Sequence, residues 1–161
     1  MNEAVTFFAA GTPKAQPRPR ATIRGNRAGV YDPGTADAWK ASIREALKTV
    51  EHTAALLKFT ARAQLGDPIR VLILCIMPRP KSHLTHFTTA PRIRSDAPAH
   101  WHTCKPDGDN LGKAVLDALN DSGLWRDDAQ VAHLTIQKRW ANIGEEPGAV
   151  IRLKIVMEDW Q

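Results

Sequence analysis

Long apolar runs are missing from this chain of 161 residues: none approaches the ~20 residues that a membrane-crossing helix needs. The opening MNEAVTFFAAG has no basic n-region, so no signal peptide is expected. Cysteine is almost absent. Cys75 and Cys104 are the only two, which is no disulfide framework and points to a reducing cytosol. Internal repeats and low-complexity tracts are also missing, so one domain over 1–161 is expected. With 43% hydrophobic and 24% charged residues, the chain can bury a core and is not a disordered polymer.

Acids are scarce in two stretches. Residues 1–30 carry Lys14, Arg18, Arg20, Arg24 and Arg27 against Glu3 alone. Residues 78–106 carry Arg79, Lys81, Arg92, Arg94 and Lys105 against Asp96 alone, with four histidines. Residues 107–128 reverse the sign, with Asp107, Asp109, Asp117, Asp121, Asp127 and Asp128 against Lys113 and Arg126. The net charge is +5. Basic arms around an acidic centre suit an anionic polymer held beside a cation.

Periodicity orders the elements. Residues 4–9 read as a short strand, and GTPKAQPRPR as an extended basic segment that its prolines keep out of helix and sheet. Residues 21–31 predict a hairpin around Gly25-Asn26. Trp39, Ile43, Ala46, Leu47 and Val50 recur at helical spacing; this helix either continues through Leu56 and Leu57 to Ala63 or breaks near His52-Thr53. IRVLILCIM, 69–77, reads as a central strand covered on both faces. Residues 78–106, with five of the eleven prolines, predict a long irregular loop. A helix follows from Asn110, with Leu111, Val115, Ala118 and Leu119 on one face. Two alternating strands, 131–140 and 149–157, are expected to form a hairpin through Gly144–Gly148. The fold class is α+β: a single compact domain, a mixed sheet with two main helices packed on it.

KPDGDN, 105–110, sets two carboxylates one residue apart at a helix start. Asp107 as a turn residue and Asp109 as an N-cap is the plain reading. An EF-hand is excluded, because Asp107, Asp109 and Gly112 match its positions while Leu111 and Ala118 do not. If Asp128 approaches the turn, three carboxylates offer the hard oxygens that Mg²⁺ takes, and Lys113 can face developing phosphoryl charge. The approach of Asp128 is assumed, as an antiparallel return along the helix.

The run HTCKPDGDNLGKAVLDALNDSGLWRDDAQV, 102–131, with Lys138 downstream and Gly11, Pro13, Arg18, Pro19 and Arg20 upstream, resembles the RusA family of Holliday junction resolvases. The resemblance implies that Asp107, Asp109 and Asp128 are metal-binding catalytic aspartates, that Lys113 is a catalytic lysine, and that Asp127 is a motif acid of less defined role. It implies a small homodimer that uses Mg²⁺, or Mn²⁺, to nick branched DNA, above all four-way junctions, by paired symmetric cuts and without an organic cofactor. The loop 78–106 departs from the family pattern. A non-catalytic module that only binds branched DNA is the alternative, and a nucleotide phosphohydrolase a third.

Beyond the acids, Lys14, Arg18, Arg20, Lys105 and His102 are expected to contact DNA phosphates. Zinc from His83, His86, His100, His102 and Cys104 is not expected, because H-x-H-x-C is no common structural pattern. Trp101 is expected to anchor the loop on the core; a wedge that unstacks bases, with Phe87 and Leu84, is the alternative. Trp125 and Cys75 are expected to be core residues.

Overall fold

A computed structural model describes residues 4–25, 27–85 and 89–156. Asn26 of the hairpin turn, His86, Phe87 and Met157 therefore lie outside the described residues. Among the described residues no helix is long and apolar enough to cross a membrane.

The chain forms β1 (Val5–Ala10), β2 (Arg20–Arg24), β3 (Arg27–Tyr31), α1 (Asp37–Lys48), α2 (Ala54–Leu65), β4 (Ile69–Met77), α3 (Gly108–Asn120), β5 (Val131–Trp140) and β6 (Gly148–Ile155). Short 3₁₀ turns cover Lys81–His83 and Asp128–Gln130. The result is the expected α+β domain with a mixed four-stranded sheet, in the order β1-β6-β4-β5.

Three helices form where two main ones were expected. The long helical stretch breaks at Thr53, whose backbone is extended (φ −73°, ψ 142°) and whose hydroxyl accepts from Leu56 N. That bond satisfies one free donor of the new helix start. Gly66 ends α2 in the left-handed region at φ 101°, where glycine has no Cβ to clash.

The expected hairpin between the last two strands does not form. β4 lies between them, parallel to β5 and antiparallel to β6. A parallel pair needs a crossover, which 78–106 and α3 supply, and the link 141–147 then passes over the end of β4. β4 is the most apolar strand, and the centre position bonds both of its edges.

Coverage of β4 is one-sided. Val71, Ile73, Cys75 and Met77 are buried under the helices with Ile151 and Leu153, while Arg70 is exposed and Leu72 and Leu74 are half-buried on the other face. Only at Ile76, 4% exposed, is that second face closed. Burial also pushes the Cys75 thiol up to about 12, against the lowering field of Lys138, so Cys75 is an inert packing residue as expected.

Candidate functional site

The site is built where α3 starts above the end of β5. Leu111, Ala114, Val115, Ala118 and Leu119 are fully buried, which seats the helix. Its first half lies close to the strand because position 112 has no side chain: a Cβ there would collide with Ile136 Cδ1. Gly108 also faces Ile136, with its Cβ position 3.8 Å from Cγ2.

The turn into the helix contains a cis peptide between Lys105 and Pro106. It is held from below by Lys138 of β5, whose Nζ donates to the Cys104 carbonyl at 2.5 Å and the Pro106 carbonyl at 2.7 Å. From the side, Gln16 N donates to the Asn110 carbonyl at 2.9 Å, tying the extended segment 12–19 to the first turn of α3. An open hollow results, lined by Ala15, Arg18, Lys105, Pro106, Asp107 and Asn110.

Asp107, not Asp109, takes the N-cap position (φ −71°, ψ 145°), and its carboxylate makes no cap hydrogen bond. Asp109 is exposed in the first turn. Lys113, one turn further on, is exposed as well. The acidic stripe ends there, because Asp117 is engaged by Lys40 of α1 at 3.4 Å. Asp107 thus shares the hollow with Arg18 and Lys105, while Asp109 and Lys113 stand exposed on the adjoining first turns of α3.

Asp128 lies elsewhere. It opens the 3₁₀ turn before β5, while the start of α3 sits over Ile136 and Lys138. Three residues of 3₁₀ turn and five strand positions separate Asp128 from Ile136, roughly 20 Å at ~2.0 and ~3.3 Å per residue. The strand does return antiparallel along the helix, but that brings its end, not its beginning, to Asp107. Among the described residues, no three His, Cys, Asp or Glu side chains are grouped to hold a metal.

The turn that carries Asp128 is rigidly made. Asp127 caps it by accepting from Ala129 N at 2.7 Å. Gln130 donates to the carbonyls of Ala63 and Asp67 at 2.9 and 3.2 Å and accepts from Arg126 N at 2.9 Å. Trp125 is core, as expected, 3% exposed and bonded through Nε1 to Asn120. In W-x-D-D-x-Q, then, Trp125, Asp127 and Gln130 build the turn, while Asp128 is exposed. Sequence reasoning missed Gln130 and the bracing role of Lys138; both stand in the motif, but only the pairing of β5 shows what they hold.

The expected DNA contacts divide. Arg18 and Lys105 line the hollow, and Lys14 is exposed beside them after the buried Pro13. Arg20 starts the projecting β2–β3 hairpin, on the face it shares with Thr22, Gly29 and Tyr31. The hairpin's other face exposes Ile23 (79%) and Val30 (72%).

His102 is a correction. It is 5% exposed, its ring 4.2 Å from that of Trp140. Burial first, then the charge of Lys138, hold its pKa below the usual value, so it is neutral at pH 7 and offers no cation to a phosphate. The loop 78–106 is organised around Trp140, which also receives His83 edge-on at 4.9 Å and Arg79 at 5.9 Å. Arg79 further donates to the carbonyls of Ala141, Pro98 and Ala99. Trp140 is the anchor that Trp101 was expected to be. Trp101 is 56% exposed, and among the described residues its ring contact is with His100, edge-on.

Residues 10–154 match the family model described as Endodeoxyribonuclease RusA. The chain is also similar to the uncharacterized protein YqaN of Bacillus subtilis (strain 168), at 28% identity over 154 residues, covering 96% of this chain and 98% of that protein.

Proposed function

This chain belongs to the RusA endodeoxyribonuclease family, and from that premise we propose that it is a Mg²⁺-dependent endonuclease, with Mn²⁺ as a substitute, that resolves four-way DNA junctions by paired nicks. The observation that carries the reading is the pair Asp107 and Asp109. An aspartate at an N-cap ordinarily spends an oxygen on the helix N–H groups; here Asp107 keeps both oxygens free of that bond, beside an exposed Asp109 and a cationic rim.

These residues fit a divalent cation, since Mg²⁺ is commonly bound by one or two carboxylates with water and substrate phosphate filling the rest. A cation held by Asp107 and Asp109 would supply Lewis acidity and a water deprotonated near neutral pH. Arg18 and Lys105 bind the phosphates flanking the scissile one. Lys113 places its ammonium where charge builds as the P–O bond breaks, the kind of preset positive charge that lowers such barriers. The helix N-terminus adds its own positive end to the same spot.

Asp128 enters this reading from a second copy. β5 is an edge strand, and from Val131 to Gln137 its outer edge pairs with nothing among the described residues; beyond, residues 100–102 cover it. A second β5 laid antiparallel along that edge would carry its own Asp128 toward the end where Asp107 stands. A two-fold dimer would then present two composite centres to two equivalent junction strands.

The test is incubation with a synthetic four-way junction and a matched linear duplex, in Mg²⁺ and in EDTA. Metal-dependent cutting of the junction is expected. No cutting leaves the non-catalytic binding module, and equal cutting of both substrates reduces the protein to a general nuclease.

A further inference from the structure

The four strands of the main sheet contain no acid, and their basic residues segregate. Lys138 points into the helix side, as its bonds beneath α3 show. Arg70, Arg152 and Lys154 project from the opposite, open face, as does Arg139 at the far end of β5, where Glu145 neutralises it. The first three are clustered there by register: Arg70 is the partner of Lys154 on β6 and of His133 on β5, and Arg152 stands between Thr6 of β1 and Leu72 of β4. Rows on neighbouring strands lie only ~4.8 Å apart.

Like charges directly opposite one another weaken a sheet, and none of these three cations forms an ion pair with an acid of the described residues. Arg70 and Arg152 are exposed, Lys154 half-buried. Between them Leu72 is half-buried, and at the rim Phe8, 39% exposed, lies over Gly148. His133 is turned to Thr135 of its own strand at 3.1 Å. Among the described residues no helix packs on this side. Apart from Glu145, which Arg139 holds at the other end of the face, the described residues put no acid beside these adjacent unneutralised cations, and such a surface complements a polyanion.

We propose that this open sheet face is a second DNA-binding surface, which grips the phosphate backbone of one duplex arm through Arg70, Arg152 and Lys154. It rests on the reading that the substrate is branched DNA. The face lies across the sheet from the hollow at Asp107, at the end where Asp128 precedes β5, so an arm held there runs away from the cutting centre rather than through it. A branched substrate has arms to be held in this way, and the protein then orients it by two separate surfaces. The bonds are to phosphates, so they position the arm and do not read its sequence.

The experiment is a binding titration in EDTA, which needs no cleavage and so is unaffected if the assignment of the acids fails. The triple variant Arg70→Gln, Arg152→Gln, Lys154→Gln is compared with the unsubstituted protein on a four-way junction across a range of salt. Every phosphate that the protein no longer neutralises lowers the slope of log K against log salt by ~0.9. The slope should fall by about 2 to 3, with affinity roughly tenfold or more weaker at ~0.1 M salt. A control triple, Arg44→Gln, Lys48→Gln, Lys58→Gln, removes the same charge elsewhere and should change binding little. An unchanged slope in the sheet variant overturns the proposal, and so does an equal fall in the control, which would mean net charge and not this face. A matching thermal melt confirms that the sheet variant is folded; a drop in its melting point would contradict the like-charge repulsion on which the surface is argued.

Discussion

Lys138 Nζ stands 2.7 Å from the carbonyl oxygen of Pro106 and 2.5 Å from that of Cys104, so a strand lysine holds the turn that presents Asp107. It does not reach the hollow itself. Its role is to fix the height of the helix start above the sheet.

Lys138→Met should therefore release the turn while leaving all the acids in place. Two hydrogen bonds from a charged donor, one exposed and one half-buried, stabilise by about 1–2 kcal/mol each, so urea unfolding should show a loss of about 2–4 kcal/mol. Cleavage should fall at saturating metal as well. Full activity with unchanged stability would show that the turn keeps its shape unaided.

Asp107→Asn and Asp109→Asn should each abolish junction cutting while keeping or tightening DNA binding, because a ligand and a repulsive charge go together. Gel-shift and cleavage assays on the same preparation separate the two effects. Normal cutting by either variant would remove that carboxylate from the site.

The shared centre gives a mixing test. Asp109→Asn and Asp128→Asn proteins should both be inactive alone, yet a co-expressed mixture should nick, because one heterodimer site unites the intact Asp107–Asp109 pair with the intact Asp128. No recovery in a verified heterodimer would place all three acids in one chain's centre or exclude Asp128.

Gly112→Ala tests the close approach of α3 to β5. The methyl meets Ile136, and overpacking of this kind costs about 1–3 kcal/mol. Pairing it with Ile136→Val should recover part of the loss; additive losses would mean that the helix is displaced by something else.

Acid should weaken the fold in two separate windows. The His102 pKa is lowered in the folded chain, by burial first and by Lys138 second, so the unfolded chain takes up the proton more readily. Its contribution is present above the ordinary value near ~6.5 and is lost as pH falls from there through the lower folded value. Glu145 is held to about 2 by its hydrogen bonds with Arg139 and Asn142 N, so its contribution is present above its usual ~4.3 and is lost only as pH falls from there toward 2. Urea midpoints from pH 8 to 3 should show both steps, and His102→Phe should remove the first alone.

Much of the fold was legible because single elements report themselves. The spacing of Trp39, Ile43, Ala46 and Leu47 marked α1, and the alternation of Ile151 and Leu153 with Arg152 and Lys154 marked β6 with its correct inner face. The motif carried the family, and within it Asp107, Asp109 and Lys113 are all exposed near the start of α3.

What the sequence by itself determined was local: which residues form each helix and strand, and which acids begin a helix. Periodicity is a property of neighbours along the chain, so it survives without a fold. Which strand lies between which was decided only by the tertiary structure, since β4 competes for both β5 and β6 through backbone bonds that no side-chain pattern encodes. That single choice separates β5 from β6, leaves β5 at the edge and sends Asp128 to the far end from Asp107. It also sets Arg70 beside Lys154, two residues far apart in sequence whose shared face exists only because their strands pair.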